Sequence, residues 1–187
     1  MIRILQGTVF LLAVLVGNNL FAVTCENTSN LIIPDSPAGT VMNSIDIFLA
    51  DGNLGAETEL LSVCFMIQHT FLADLAVQLQ SPDGTIIPLT SNNGGFNDNY
   101  GSIATDKLIC FTPIAGAAVL PSYAGNIGGD FLPEGSFGDF DGGPASGTWS
   151  LLITDSFGGD TGTLLEWNIT LSSGICILPP DHSFTNL

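Results

Sequence analysis

Apolar residues recur at every second position along much of this chain. Leu61, Val63, Phe65 and Ile67 alternate with Ser62, Cys64, Met66 and Gln68, the period of a half-buried β-strand. Leu75, Val77 and Leu79 alternate with Ala76, Gln78 and Gln80. Trp149, Leu151 and Ile153 alternate with Ser150, Leu152 and Thr154, and Trp167, Ile169 and Leu171 with Glu166, Asn168 and Thr170. The segment SPDGT at 81–85 places Pro early and Gly late, as a turn does, and residues 86–89 resume a strand. From 91 to 147, Gly, Asn and Asp surround one apolar island at 107–114, which predicts long loops carrying short strands. Helical periodicity is nearly absent after the first residues. With 22 Gly and 10 Pro, the pattern predicts an all-β fold, an antiparallel jelly-roll β-sandwich.

The first 22 residues depart from this pattern. Arg3 precedes a short apolar run at 8–16, and Leu20-Phe21-Ala22 ends in a small residue suited to cleavage, the signature of a signal peptide. The run is too short for a comfortable membrane span, and no other segment approaches about 20 uninterrupted apolar residues. A lipoprotein signal ending at Cys25 is the alternative, but Thr24 before that Cys fits it poorly. The predicted organisation is a signal peptide at 1–22, an N-terminal segment at 23–40, the jelly roll at 41–173 and a tail or linker at 174–187. Export places the protein outside the cell or in a periplasm, with no membrane attachment after cleavage.

Cysteine usage agrees with an oxidising compartment. Cys25, Cys64, Cys110 and Cys176 all survive cleavage, and no two are close enough for a CxxC metal or redox motif. Four cysteines allow three pairings. The expectation is Cys25 with Cys176, stapling the two ends, and Cys64 with Cys110, linking internal strands; the other pairings stay open at this level.

The chain has 18 acidic and two basic residues, a formal charge of −16. Arg3 leaves with the signal, so Lys107 is the sole cation of the mature chain. Nucleic-acid backbones and anionic membranes are excluded as partners, because both need basic patches. Two readings remain: a solvated acidic surface, and carboxylates neutralised by structural calcium, which takes six to eight oxygen ligands. The candidate calcium ligands are Asp74, Asp98, Asp139, Asp141, Asp155 and Asp160.

Catalytic constellations are thin. There is no G-x-S-x-G elbow, and His69 and His182 are the only bases of their type. His69 follows its strand in phase with Leu61, Val63, Phe65 and Ile67, which predicts a capped, buried strand end. The stretch GGDTGT at 158–163 contains the D-T-G triplet of aspartic proteases. Such a site uses two carboxylates sharing a proton at the end of apolar strands. Gly158-Gly159 stand where that strand would lead into Asp160, which argues against the protease reading.

The flanks of the triplet carry more. TWSLLITD, SFGGDTG and TLLEWNITL predict strand, Gly-rich turn and strand, a hairpin. GTWSLLITDSFGGDTGTLLEWNITL resembles the closing hairpin of the P domain (P/Homo B domain) of kexin- and furin-like proprotein convertases and secreted bacterial proteases. IQHTFLADLAVQLQSPDGTIIPL and LPEGSFGDFDGGPASGTW resemble further parts of that family, so the likeness covers about residues 41–172. The resemblance implies a jelly roll without catalytic residues, an accessory or interaction module for a protease domain or another extracellular protein. It matches Trp149 and Trp167 to core aromatics, Gly147 and Gly162 to turn glycines, and Asp74 and Asp155 to acidic strand ends. Leu72-Ala73 depart from it, since a basic residue and Gly are common there, and TDKLICF replaces a more acidic segment. The alternative function is a carbohydrate- or surface-binding jelly roll, with Phe96, Tyr100, Tyr123, Phe137 and Phe140 as stacking platforms; the competing reading buries these rings under the loops.

Overall fold

The structure is a computed structural model and describes residues 21–28, 30–37, 39–48, 52–116 and 128–177. Residues 1–20 of the expected signal peptide, Tyr123 and His182 lie outside the described residues. Eleven strands are described: β1 (Val23–Asn27), β2 (Leu31–Ile33), β3 (Thr40–Phe48), β4 (Leu60–His69), β5 (Leu75–Gln80), β6 (Ile86–Ser91), β7 (Ile109–Phe111), β8 (Gly129–Phe131), β9 (Gly147–Asp155), β10 (Gly162–Leu171) and β11 (Ile175–Ile177). Three short 3-10 turns join them, and no α-helix occurs among the described residues.

The strands form two sheets packed face to face. One runs β1-β10-β4-β7-β8, with β2 also on β10; the other runs β11-β3-β9-β5-β6. Alternation dictates which side chains meet between them. Phe65, Ile67, Trp167 and Ile169 from the first sheet, and Val77, Leu79, Trp149 and Leu151 from the second, are fully buried. Each indole nitrogen finds a partner: Trp149 Nε1 donates to Ala145 O at 3.0 Å and Trp167 Nε1 to Asn43 Oδ1 at 2.7 Å.

Four features depart from the sequence pattern. First, β9 and β10 are not a hairpin. They lie in opposite sheets, so the Gly-rich stretch between them crosses from one layer to the other. Two amphipathic strands can bury their apolar faces by pairing edge to edge or by facing each other, and periodicity is the same in both arrangements. Second, Leu61 is exposed and Leu60 is buried. The β4–β10 register slips between Thr170 and Leu171, and the extra residue reverses the phase at the start of β4. Third, the sandwich is not wholly antiparallel, because β7 and β8 pair in parallel. Fourth, β1 and β2 pair with β10, and β11 pairs with β3, so the segments flanking 41–173 contribute strands to both sheets.

Both disulfides are present as Cys25–Cys176 and Cys64–Cys110. The first joins β1 of one sheet to β11 of the other; the second joins neighbours directly opposite on β4 and β7. Their sequence separations are 151 and 46 residues. Loop-closure entropy then predicts a loss of about 5 kcal/mol for the Cys25→Ser, Cys176→Ser pair and about 4 kcal/mol for the Cys64→Ser, Cys110→Ser pair. Urea unfolding of the two double variants checks the size and the order.

Candidate functional site

Four strand ends meet at one end of the sandwich. β4 ends at His69, β9 ends at Asp155, β5 begins at Leu75 opposite Asp155, and β10 begins at Gly162 opposite His69. His69 continues the inward phase of Val63, Phe65 and Ile67, and Asp155 that of Trp149, Leu151 and Ile153. Period-two alternation thus carries a base and an acid from opposite sheets into the same interlayer space.

His69 Nε2 lies 3.2 Å from Asp155 Oδ2, and both side chains are closed to solvent. With its proton on Nε2, the ring donates to Asp155. Its Nδ1 sits 3.1 Å from Phe71 N and 2.9 Å from Phe71 O. A neutral ring accepts from Phe71 N–H there, and a protonated one donates to the Phe71 carbonyl. Asp155 Oδ1 accepts from Phe157 N at 3.2 Å. Both ring nitrogens and both carboxylate oxygens are therefore engaged, and the pair ties the two sheets together.

The crossover between β9 and β10 is held by the same end. Asp160 Oδ1 accepts from Thr70 Oγ1 at 2.5 Å, and Asp35, ahead of β3, accepts from Gly159 N at 3.0 and 3.1 Å. Gly162 lies against the imidazole: a Cβ there would meet His69 Cδ2 at 2.6 Å and Gln68 O at 2.9 Å. The D-T-G triplet is thereby explained as a loop tie, a connecting residue and a glycine that leaves room for the His69 ring.

Asp74 closes the cluster. It ends the 3-10 turn Leu72–Asp74, is 7% exposed, and its carbonyl accepts from Ser156 N at 2.8 Å. Burial raises its pKa above the ordinary value of 3.8. The charges of Asp155 and Asp160 raise it further, His69 opposes them, and Asp35 adds a smaller push upward.

The six candidate calcium ligands do not converge. Asp74, Asp155 and Asp160 share this end, and Asp98 lines a shallow polar depression of about 300 Å3 beside it with Gln68, His69, Thr70, Asn99 and Thr161. Asp139 and Asp141 belong to the turn after Ser136, where Asp141 lines a different hollow with Leu60. Leu60 opens β4 and His69 closes it, so the two places are roughly 30 Å apart along the strand. Among the described residues no group of three or more His, Cys, Asp and Glu is arranged to hold a metal ion. Separation along the fold, invisible to composition, divides the set.

The aromatic set is divided by burial. Tyr100, Phe137 and Phe140 are buried and so present no face to a sugar. Tyr100 packs edge-on against Phe65 and donates to Asn93 O at 3.0 Å, and its burial pushes the phenol pKa up to about 12. Phe140 packs edge-on against Trp149. Phe96 is 89% exposed and rests on Phe71 at 5.2 Å.

Asp35, Asn99, Thr70 and Phe71 also build this end; Thr70 and Phe71 fall within the stretch that carries the family resemblance, whereas Asp35 and Asn99 carry no mark in the sequence pattern. Asn99 has φ 63°, and its side chain accepts from His69 N at 3.0 Å. Its one available signal is residue type, since Asn tolerates the left-handed region better than most.

Residues 123–171 match the family described as the proprotein convertase P-domain, a stretch that includes β8, β9, the crossover and β10. The leupeptin-inactivating enzyme 1 of Streptomyces exfoliatus is 30% identical over 145 residues, covering 78% of this chain and 25% of that protein. The transglutaminase-activating metalloprotease of Streptomyces mobaraensis is 27% identical over 145 residues, again 78% of this chain but 14% of the relative. The chain therefore spans a quarter or less of the length of these relatives. The serine protease of Aeromonas sobria, solved as a complex with a chaperone, superposes with a TM-score of 0.47 at 20% identity, over 80% of this chain and 26% of that one.

Gly162→Ala is expected to displace the His69 ring and destabilise the fold by about 1–3 kcal/mol, read as a lower denaturant midpoint. A second expectation follows from Asp74. With its pKa raised on folding, its favourable contribution is complete below the ordinary carboxylate value and is lost as pH rises through the raised one. Asp74→Asn should therefore raise the melting temperature at pH 7, and the gain should vanish at pH 3, where both side chains are neutral. Paired thermal melts of the two proteins at each pH check the sign.

Proposed function

The chain carries a proprotein convertase P-domain sequence over residues 123–171, and on that premise we propose that it is a secreted, non-catalytic module that acts beside a protease, stabilising it or joining it to other proteins. The observation supporting this reading is the use made of the polar end. His69, Asp155, Asp160 and Gly162, the residues whose types suggest chemistry, hold two sheets and a crossover together. Two disulfides suit an extracellular or periplasmic setting. Among the described residues no helix is long and apolar enough to cross a membrane. Both relatives extend far beyond the matched segment, one is named as a metalloprotease, and a module of this kind would sit beside such a body.

A carbohydrate-binding role keeps Phe96 alone exposed of its candidate stacking rings among the described residues, and is the weaker reading for that reason. Calcium is proposed only as a stabiliser at the Asp74 end, where a cation would relieve the repulsion among Asp74, Asp155, Asp160 and Asp35.

Mixed with a protease deprived of its own P domain, the purified chain is expected to raise that protease's melting temperature while showing no peptidase activity itself. Peptidase activity in the chain that disappears in Asp160→Asn would overturn the reading. Millimolar calcium should raise the chain's own melting temperature, and an unchanged melt with calcium and with a chelator would remove the calcium proposal.

A further inference from the structure

The two outer faces of the sandwich differ in charge. On the β1-β10-β4-β7-β8 sheet, Glu26, Glu166 and Asp130 point outward, in antiphase with the buried Cys25, Trp167 and Phe131. Burial, then the charges of Glu26 and Asp106, raise the pKa of Glu166. The outer face of the β11-β3-β9-β5-β6 sheet is different. Met42 sits opposite Leu152, Phe48 opposite Ile175, and hydroxyl pairs Thr40–Thr154 and Ser44–Ser150 fill the rows between. Met42, Phe48 and Ile175 are 58%, 57% and 64% exposed. Asp46 is the only charge that the outward positions of these five strands carry among the described residues. A chain of charge −16 thus keeps a whole sheet face nearly uncharged.

Acids stand at both ends of that face. Asp46, which accepts from Thr148 Oγ1 at 2.6 Å, and Asp83, in the β5–β6 turn whose Pro82 abuts Gly147, mark the end where β9 begins. Asp35, Asp74 and Asp160 mark the end where β9 finishes. Thr148 and Thr154 are six residues apart, so the uncharged strip is roughly 20 Å long.

We propose that the outer face of the β11-β3-β9-β5-β6 sheet is the surface that meets the protease partner, and that this partner presents an apolar patch flanked by basic groups. The proposal rests on the protease-associated reading above. A second copy of this chain is a poor occupant. Its two-fold apposition would set acidic ends against acidic ends or leave them unpaired, and the mature chain has one lysine, Lys107, to offer. A different protein with Lys or Arg around an apolar patch satisfies both the strip and its ends.

The test uses the Streptomyces mobaraensis metalloprotease with its matching segment deleted, titrated with the intact chain. The wild-type chain should bind, and more weakly as salt rises. The Met42→Glu, Leu152→Glu variant should lose about tenfold or more in affinity. A Thr24→Glu, Thr170→Glu variant on the other outer face should bind within about twofold of wild type, with melting curves confirming that both variants fold. Undiminished binding by Met42→Glu, Leu152→Glu overturns the surface and leaves the protease reading intact. No binding by the wild-type chain overturns both. Binding indifferent to salt overturns the basic flanks. A dimer in light scattering that Met42→Glu abolishes assigns the face to self-association and overturns the proposal.

Discussion

The closure of one end of the sandwich depends on a hydrogen bond between side chains of opposite sheets. His69 and Asp155 are the last residues of the two central strands, and each lies on its strand's inward phase. An imidazole and a carboxylate in an apolar interlayer would each be costly alone, because burial without a partner forfeits hydration. Together, with Phe71 and Phe157 taking the remaining capacity, they are satisfied. Removing one partner of such a pair typically costs more than the pair contributes, because the other is left buried and unmatched. The pair therefore acts as a constraint on how the sheets sit, and much around it follows from keeping it dry.

The loop between β9 and β10 is shaped by that constraint. It must leave one sheet beside Asp155 and enter the other beside His69, within six residues, 156–161. Gly159, at φ 120°, supplies a conformation that side chains rarely adopt, and Gly162 supplies room for the ring. Asp160 and Asp35 anchor the loop from outside. Carboxylates gathered so closely repel, and Asp74 registers the repulsion in its raised pKa. The electrostatic tension is thus a by-product of closing the sandwich with acidic loops, and any bound cation or basic partner group near this end would act on it.

The same economy separates the two outer faces. Alternation turns one row of each strand outward on both sheets, but the outward rows of the second sheet carry Asp46 as their one charge among the described residues. That face is sealed by threonine and serine pairs and by Met42 against Leu152. An exposed, neutral sheet face gains little from solvation that charged side chains would not have provided better, which is why its composition bears on association.

Sequence alone determined the class of fold, because period-two alternation over four long segments admits little other than strands, although β4 is buried on both faces from Val63 to Ile67 rather than half-buried, Cys64 and Met66 being covered as well. It also determined the register of the inner rows: Trp149, Leu151 and Ile153, and Trp167, Ile169 and Leu171, lie inward as their spacing requires. Spacing supplied the expectation of two disulfides, and the order of short motifs the P-domain likeness. Tertiary structure decided the rest. Whether β9 and β10 pair or face each other depends on which neighbours compete for their edges, and β3 and β5 take those of β9 while β4, β1 and β2 take those of β10. Leu61 turned outward because a bulge shifted one strand by a residue, a long-range register event with no local sign. The six aspartates parted because chain distance says nothing about spatial distance between loops. Gly162 and His69 met because two strands from a long-range pairing brought them to one level, 93 residues apart in number and adjacent in space.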